Sequence, residues 1–356
     1  LDLAPAYQPD QWTFKPYPSF YLSLDQRMEM MQGMWDRVKS SYVHGRVARC
    51  RMSGSPQHPV SLDVELICND DTSIAPGIVQ TVTITCRHLV VGGGRFAGLL
   101  LEVDRPLPLH FRRFEFGVRI ETSHTNAFFS RYKATDPKLV YQRPDGVQWR
   151  TFCMCRRGEV VTTKLYGLTT LSGRADCAPT ENSNVGYMVR ITNEQIASDI
   201  APRVLALSRA GAPFSLSVSD VLADTGASMS ALWGATTTQL FLHGLRLLLD
   251  ACPELSCADA MLRGPCVEGT GQYCPLDERL RVREGCHDSV SVIGDASGVF
   301  RGIVPAMVSG SYVAAIVADE LGTQASECAR AAGGVAAPDE PERSFAPSVG
   351  ALKAVS

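Results

Sequence analysis

The sequence predicts a mixed α/β chain of the α+β kind. A helix and β-meander come first, then a β-rich middle, then a closing strand, turn and helix. Three observations carry this reading. Apolar residues recur at helical spacing at Leu24, Met28, Met31, Trp35 and Val38. Strand-like runs separated by turn-forming stretches follow, at Arg46 to Met52, Ser61 to Cys68 and Thr81 to Val91. Near the end, the short apolar run Val290 to Ile293 closes on Gly294-Asp295 and is followed by an apolar stretch from Gly302.

Taken in order, residues 1–20 are rich in proline and aromatic residues and read as an extended N-terminal arm. Ser23 with Gln26 makes a capping box that opens the first helix, and its Met-rich stripe reads as core. Residues 21–98 hold this helix and the meander. Residues 99–285 form a β-rich second domain, with alternating strands at Phe114 to Glu121, Gln148 to Arg156 and Glu159 to Leu165. Within it, Asn193 to Ala210 and Ala235 to Leu249 read as helices. The second carries Leu240, His243, Leu247 and Leu248 on one side, with His243 read as a core histidine. Residues 286–322 supply the closing strand and helix. Residues 323–356 turn to Ala, Gly, Pro and charge and read as a flexible tail or a strap on a partner.

Composition excludes several classes. With 356 residues, 45% hydrophobic and 20% charged, the chain is ordinary for a globular protein of two domains. A net charge of −3 gives no electrostatic case for nucleic acid or anionic membranes. Gly302 to Ala318, the longest apolar stretch, is interrupted by Pro305, Ser309, Gly310 and Ser311 and reads as a buried helix rather than a membrane span. The twelve cysteines are irregularly spaced. Cys252, Cys257, Cys266, Cys274 and Cys286 contain no C-x-x-C pair, so no metal site is expected among them. Reduced thiols point to the cytoplasm or the mitochondrial matrix. Because the chain begins with Leu, the expectation is that its start is processed, truncated or incomplete.

The closing segment carries the clearest chemistry. A carboxylate at a strand end, facing a helix N-terminus, can accept from a ligand hydroxyl while helix N–H groups meet an anionic edge. Asp295, with Gly302 and Ile303 opening a helix that has Pro305 in its first turn, fits that pattern. Flavoproteins hold the FAD ribityl chain and flavin edge in this way. The opening half of a dinucleotide site is not found: no G-x-G-x-x-G opens a strand–turn–helix unit. Gly92-Gly93-Gly94-Arg95-Phe96-Ala97 fits the looser form, but no long amphipathic helix follows it to meet a pyrophosphate.

In order, these pieces resemble the C-terminal two-thirds of the bacterial and plastid type of FAD-dependent dehydrogenase. The likeness runs over roughly residues 20–321. It rests on Leu89 to Phe96, on Phe152-Cys153-Met154-Cys155 before Gly158-Glu159-Val160-Val161, on Glu268-Gly269-Thr270, and on Gly294-Asp295 with Gly302-Ile303. It implies a partial FAD/NAD(P)-binding fold with a β-meander, joined to a β-rich substrate-type domain and lacking the N-terminal Rossmann unit. It further implies cofactor contacts from Gly92, Gly93, Gly94, Arg95, Gly294, Asp295, Gly302 and Ile303, with Cys153, Cys155, Glu268 and Thr270 as catalytic candidates. Two departures stand out. Gly269 replaces the arginine expected between Glu and Thr, and Phe300-Arg301 makes the closing loop bulky enough to obstruct the ring.

Cys153 and Cys155, at i and i+2 of a strand, point to one face, which suits either a shared role or two small core residues. Three functional readings follow. One is a truncated or split FAD-dependent oxidoreductase whose ADP-binding lobe is missing or supplied by another chain. Another is a catalytically inactive flavoprotein relative serving as a structural subunit of a larger, organellar assembly. The third is an enzyme using FMN or another small ligand. FAD is expected to bind the isolated chain weakly or not at all, and other protein chains are the expected partners.

Overall fold

The structure is a computed structural model and describes residues 11–15, 22–52, 59–66, 80–96, 107–284 and 288–331. The elements follow in chain order. First come β1 (Trp12–Lys15), α1 (Leu24–Val38), β2 (Gly45–Met52), β3 (Val60–Leu66), β4 (Gln80–Cys86), β5 (Leu89–Val91) and β6 (His110–Ser123). Next are α2 (Ala127–Arg131), β7 (Lys138–Gln142), β8 (Val147–Cys155), β9 (Glu159–Leu165), β10 (Leu168–Arg174), β11 (Asn182–Ile191) and α3 (Glu194–Ala210). The last are β12 (Phe214–Ser217), α4 (Val218–Ala223), α5 (Ala227–Trp233), α6 (Ala235–Ala251), β13 (Met261–Tyr273), β14 (Val290–Val292) and α7 (Ile303–Ala331).

A seven-stranded antiparallel sheet, β1-β7-β8-β11-β6-β13-β12, forms the larger body. Its inner strand β6, between β11 and β13, alternates strictly. Phe114, Phe116, Val118 and Ile120 face one way and are fully buried. Beside them, Val185, Tyr187, Val189 and Ile191 of β11 complete an apolar face that meets Ile200 and Val204 of α3, Trp233 of α5 and Phe241 and Leu245 of α6. Two of the polar tips in this core are satisfied: Trp149 Nε1 donates to Leu240 O at 3.2 Å, and Tyr187 Oη to Phe241 O at 2.9 Å, whereas Trp233 Nε1 is buried without a hydrogen-bond partner. The other half of the β6 alternation is Arg113, Glu115, Arg119 and Glu121, and it too is buried. The β9–β10 hairpin lies over part of that charged face, where Thr170 Oγ1 accepts from Val267 N at 2.9 Å.

The smaller body is built from the antiparallel meander β2-β3-β4 and the parallel pair β5·β14. Cys50 and Val60 of the meander pack with Val290 and Val292 and with Val282 and Ala296. Helix α7 follows the pair. Ser309 Oγ accepts from Gly294 N at 2.9 Å, and Val313 is buried. Mixed helices and largely antiparallel sheets thus define the fold class.

Several expectations are corrected. Thr81 to Val91 is two strands: β4 ends at Cys86, and β5 leaves the meander to run parallel to β14. The capping box on α1 forms, but no residue of this helix is buried. Met28 is 60% exposed and Trp35 42%, so the stripe is not core. Likewise Gly302 to Ala318 is not a buried helix, because Val304 is 69% exposed and Val308 56%. Among the described residues, Ile303–Gly322 is the segment long and apolar enough, by length and composition, to cross a membrane. Its inner face instead packs on β14. His243 is exposed with its ring 5.1 Å from Trp149, while the buried face of α6 carries Phe241, Leu242, Gly244, Leu245 and Leu248. Trp12–Lys15 does not reach outward; it adds an edge strand to β7, and Trp12 Nε1 donates to Leu247 O. Residues 274–284 belong with the smaller body, because Leu276 and Val282 pair and pack on β14. Helix α7 runs to Ala331, so 323–331 is helix rather than tail. The rest of the tail, and residues 1–10 and 16–20 of the arm, lie outside the described residues.

Two glycines give a paired test of the fold. A Cβ on Gly117 would lie 2.0 Å from Tyr187 O, inside the β6–β11 ladder, whereas one on Gly33 meets nothing within 4 Å. Gly117→Ala is expected to destabilise by about 3 kcal/mol through overpacking against backbone. Gly33→Ala, on an exposed helix surface, is expected to stabilise by about 1 kcal/mol. Urea unfolding of both variants checks the pair.

Candidate functional site

The charged face of the large sheet meets the smaller body at Glu115. This carboxylate is fully buried and is surrounded by arginines from four segments. Arg113 lies beside it on β6 with Nε at 2.8 Å, Arg150 of β8 and Arg190 of β11 reach it at 2.6 Å, and Arg301 crosses from the loop before α7 at 3.0 Å. Burial alone would push the Glu115 carboxyl up, but Arg150, Arg190, Arg301 and Arg113 outweigh it and hold the group far below the usual carboxylate range. Arg301 also pairs with Glu268 of β13 and stands 3.4 Å from Asp295. Arg95, after β5, pairs with Glu268 from the opposite side. Arg113 donates to Gly298 O. Five arginines and three carboxylates therefore stitch the two bodies together.

This network settles where the expected flavin contacts sit. Arg95, Glu268 and Asp295 are brought together, yet they are joined to one another through Arg301. Phe96 is buried in the large core. Gly92 lies against Ile293, Gly294 against Ala306, and Gly302 has positive φ at the start of α7, next to Ile303, which is exposed. Tyr166, from the β9–β10 turn, donates to Gly93 O at 3.3 Å, while a Cβ on Gly94 would meet open space. Thr270 is buried on β13. Asp295 Oδ1 has no hydrogen-bond partner and is the feature that best suits a ligand hydroxyl. Burial pushes this carboxyl up from its ordinary value, against the pull of Arg301 and Arg95. The space between Asp295 and Glu268 is spanned by the Arg301 guanidinium, so the side chains as they stand fill it.

The second constellation lies farther along the same sheet face. Arg119, four residues beyond Glu115 on β6 and so roughly 13 Å away, is fully buried. It donates through Nε to Asn184 Oδ1 at 2.8 Å and through Nη2 to Cys153 O at 2.6 Å. Cys153 and Cys155 do share a face, with their sulfurs 3.8 Å apart. They do so on a bulge, because the β8–β11 register shifts between Asn184 and Gly186. Gly173 of β10 leaves room for this arrangement; a Cβ there would lie 2.3 Å from Arg119 Nη2 and 2.7 Å from Cys155 Sγ. Both cysteines line a cleft of about 1050 Å³ that also touches α1.

The remaining cysteines are dispersed. Cys252 and Cys257 sit near α2 beside Arg131 and Asn126, Cys266 is buried in β13, and Cys274 belongs to the small core. Cys286 lies outside the described residues. Sequence reasoning missed Glu115, Arg113, Arg150, Arg190 and Arg119. The signal for Arg113, Glu115 and Arg119 was present in the polar half of the β6 alternation, which normally marks a solvent face; Arg150 and Arg190 join them only through strand pairing. No protein-family model matches the chain, and no curated protein matches it.

Replacing the buried carboxylate tests the network. Glu115→Gln leaves several buried guanidinium groups around a neutral amide, with an expected loss of about 3–5 kcal/mol. Because the folded group titrates well below its ordinary value of 4.5, its contribution is complete above that pH and is lost as pH falls below it. Urea midpoints followed from neutral pH downwards should therefore fall more steeply below pH 4.5 for the wild type than for Glu115→Gln.

Proposed function

We propose that this protein is a subunit of a multi-chain assembly, built on a flavoprotein-like scaffold whose flavin end is filled by its own side chains. One observation carries the subunit reading: two helices present apolar stripes to solvent. On α1 these are Leu24, Met28, Met31, Trp35 and Val38, and on α7 Ile303, Val304, Met307 and Val308. Spacing of i, i+3, i+4 on an uncovered face is the pattern of a helix made to be buried. Val90, 41% exposed on β5, adds to this surface. Among the described residues β5 pairs only with β14, which leaves its outer edge open to a further strand. Val290 and Val292, in contrast, are covered by the chain's own meander and need no partner.

The scaffold reading is supported by the order meander, parallel β5·β14 pair, Gly-Asp turn and helix, which is the order the sequence resemblance implies. Loss of flavin is supported by Arg301, whose pairing with Glu115 and Glu268 spans the ring position. A second reading, an oxidoreductase completed by an ADP-binding lobe from another chain, is favoured by the open edge of β5. That lobe would add a parallel strand there, and Arg301 would have to withdraw for the ring to enter.

The two readings separate on the native particle. Its subunit composition and visible absorption spectrum are expected to show further polypeptides and no flavin band attributable to this chain. A native monomer whose stripes are covered by another segment of the same polypeptide would overturn the subunit reading. Calorimetric titration of the isolated chain is expected to give no submicromolar affinity for FAD, since no Gly-rich loop and helix end hold the pyrophosphate. Val304→Glu with Val308→Glu is expected to abolish incorporation into the particle while leaving the unfolding midpoint of the isolated chain within about 0.5 kcal/mol of wild type.

A further inference from the structure

We propose that Cys153 and Cys155 form a redox-active dithiol that exchanges with small disulfides bearing carboxylates. The sulfurs stand 3.8 Å apart, within reach of the ~2.05 Å of a disulfide. The backbone is already bent for it. Cys153 adopts φ 49°, a left-handed conformation costly for a non-glycine residue and concentrated at functional sites. The two thiols are also unlike. Cys155 is 1% exposed, with Arg119 Nη2 at 3.5 Å from its sulfur, whereas Cys153 is half-buried at the floor of the cleft.

The surroundings fit an anionic disulfide. Arg27, Lys133, Arg156, Arg157 and Arg174 line the cleft against one carboxylate, Asp176. Most of these cations are engaged, Arg27 with Asp176 itself, Arg174 with Glu159, Arg157 with Glu181 and Arg156 with backbone carbonyls, so the field is positive but divided. Facing the pair from neighbouring elements are Arg119 of β6, Asp136 ahead of β7, which accepts from Met154 N, and Cys266 of β13. A hydrogen bond from Cys155, opposed by burial and helped by Arg119, holds the Cys153 thiol below its ordinary value. The same hydrogen bond and burial push Cys155 far up. Cys153 is therefore the attacking thiolate at neutral pH and Cys155 the resolving thiol.

The exchange balances as follows. The Cys153 thiolate attacks one sulfur of the disulfide, forming the mixed disulfide while the bond between the two ligand sulfurs breaks and one thiolate leaves with the electron pair. Cys155 gives up its proton and attacks the Cys153 sulfur, expelling the second ligand thiolate. The two cysteines lose two electrons, the ligand disulfide gains them, and the two thiolates take up protons to leave as thiols.

Glutathione disulfide is the probe, applied to the purified full chain and followed by peptide mapping with mass spectrometry. Wild type is expected to yield an internal Cys153–Cys155 disulfide. Cys155→Ser is expected to hold glutathione on Cys153, and Cys153→Ser to leave Cys155 unmodified. Alkylation of Cys153 should set in below the pH of an ordinary thiol and outpace that of Cys177, which lines the same cleft. Reaction with glutathione disulfide should exceed that with cationic cystamine by roughly 10-fold at low salt. A Cys153–Cys177 link, glutathione persisting on wild-type Cys153, or Cys153 reacting no faster than Cys177 would overturn the proposal. The wild-type map alone decides should a variant fail to fold.

Discussion

The burial of Glu115 is the constraint on which the arrangement of the two bodies depends. An ionised carboxylate cannot be removed from water without several partners, and here they come from β6, β8, β11 and the loop ahead of α7. Three of those partners belong to the sheet, so they are in place once it forms. The last, Arg301, belongs to the smaller body, and its engagement fixes that body over the charged sheet face. Arg95 and Glu268 repeat the link from the other side. Such an interface selects one docking geometry over others, because any displacement strands a buried charge.

The same network shows how a scaffold of this order can exchange one role for another. A cofactor cleft is a gap between two bodies held open by its ligand. When an arginine from one wall reaches carboxylates on the other, the gap becomes a joint. In this chain Arg301 of the smaller body reaches Glu115 and Glu268 of the sheet, and Gly269 leaves room for it. A Cβ at position 269 would stand 3.5 Å from Cγ of Glu115 and 3.1 Å from Tyr273 Oη, so a long cationic side chain there would compete for the same carboxylate.

Local features were legible in the sequence. The capping box at Ser23 and Gln26, the helix read over Asn193 to Ala210, the strand Glu159–Leu165 and the strand before Gly294 all depend on neighbouring residues, and they stand where residue chemistry puts them. Long-range pairing was not legible. Nothing near Leu89 says that it leaves the meander for Val290, and nothing near Glu115 names Arg301 as its partner. Burial misled in both directions. The apolar stripe of α1 reads as core and is exposed, while the charged half of β6, legible in the sequence only as strand alternation, is buried. Periodicity reports which residues share a face; it does not report what covers that face. The Cys153–Cys155 pair was found by spacing, but its bulge and its Arg119 neighbour required the fold.

The uncovered stripe of α7 bears on how a cell must handle this chain. A polypeptide that finishes folding with such a helix face still wet is a sticky intermediate until its neighbour arrives. On the subunit reading proposed above, surplus copies would meet one another through that face or be degraded as orphans, and their abundance would follow the supply of the neighbour rather than their own synthesis.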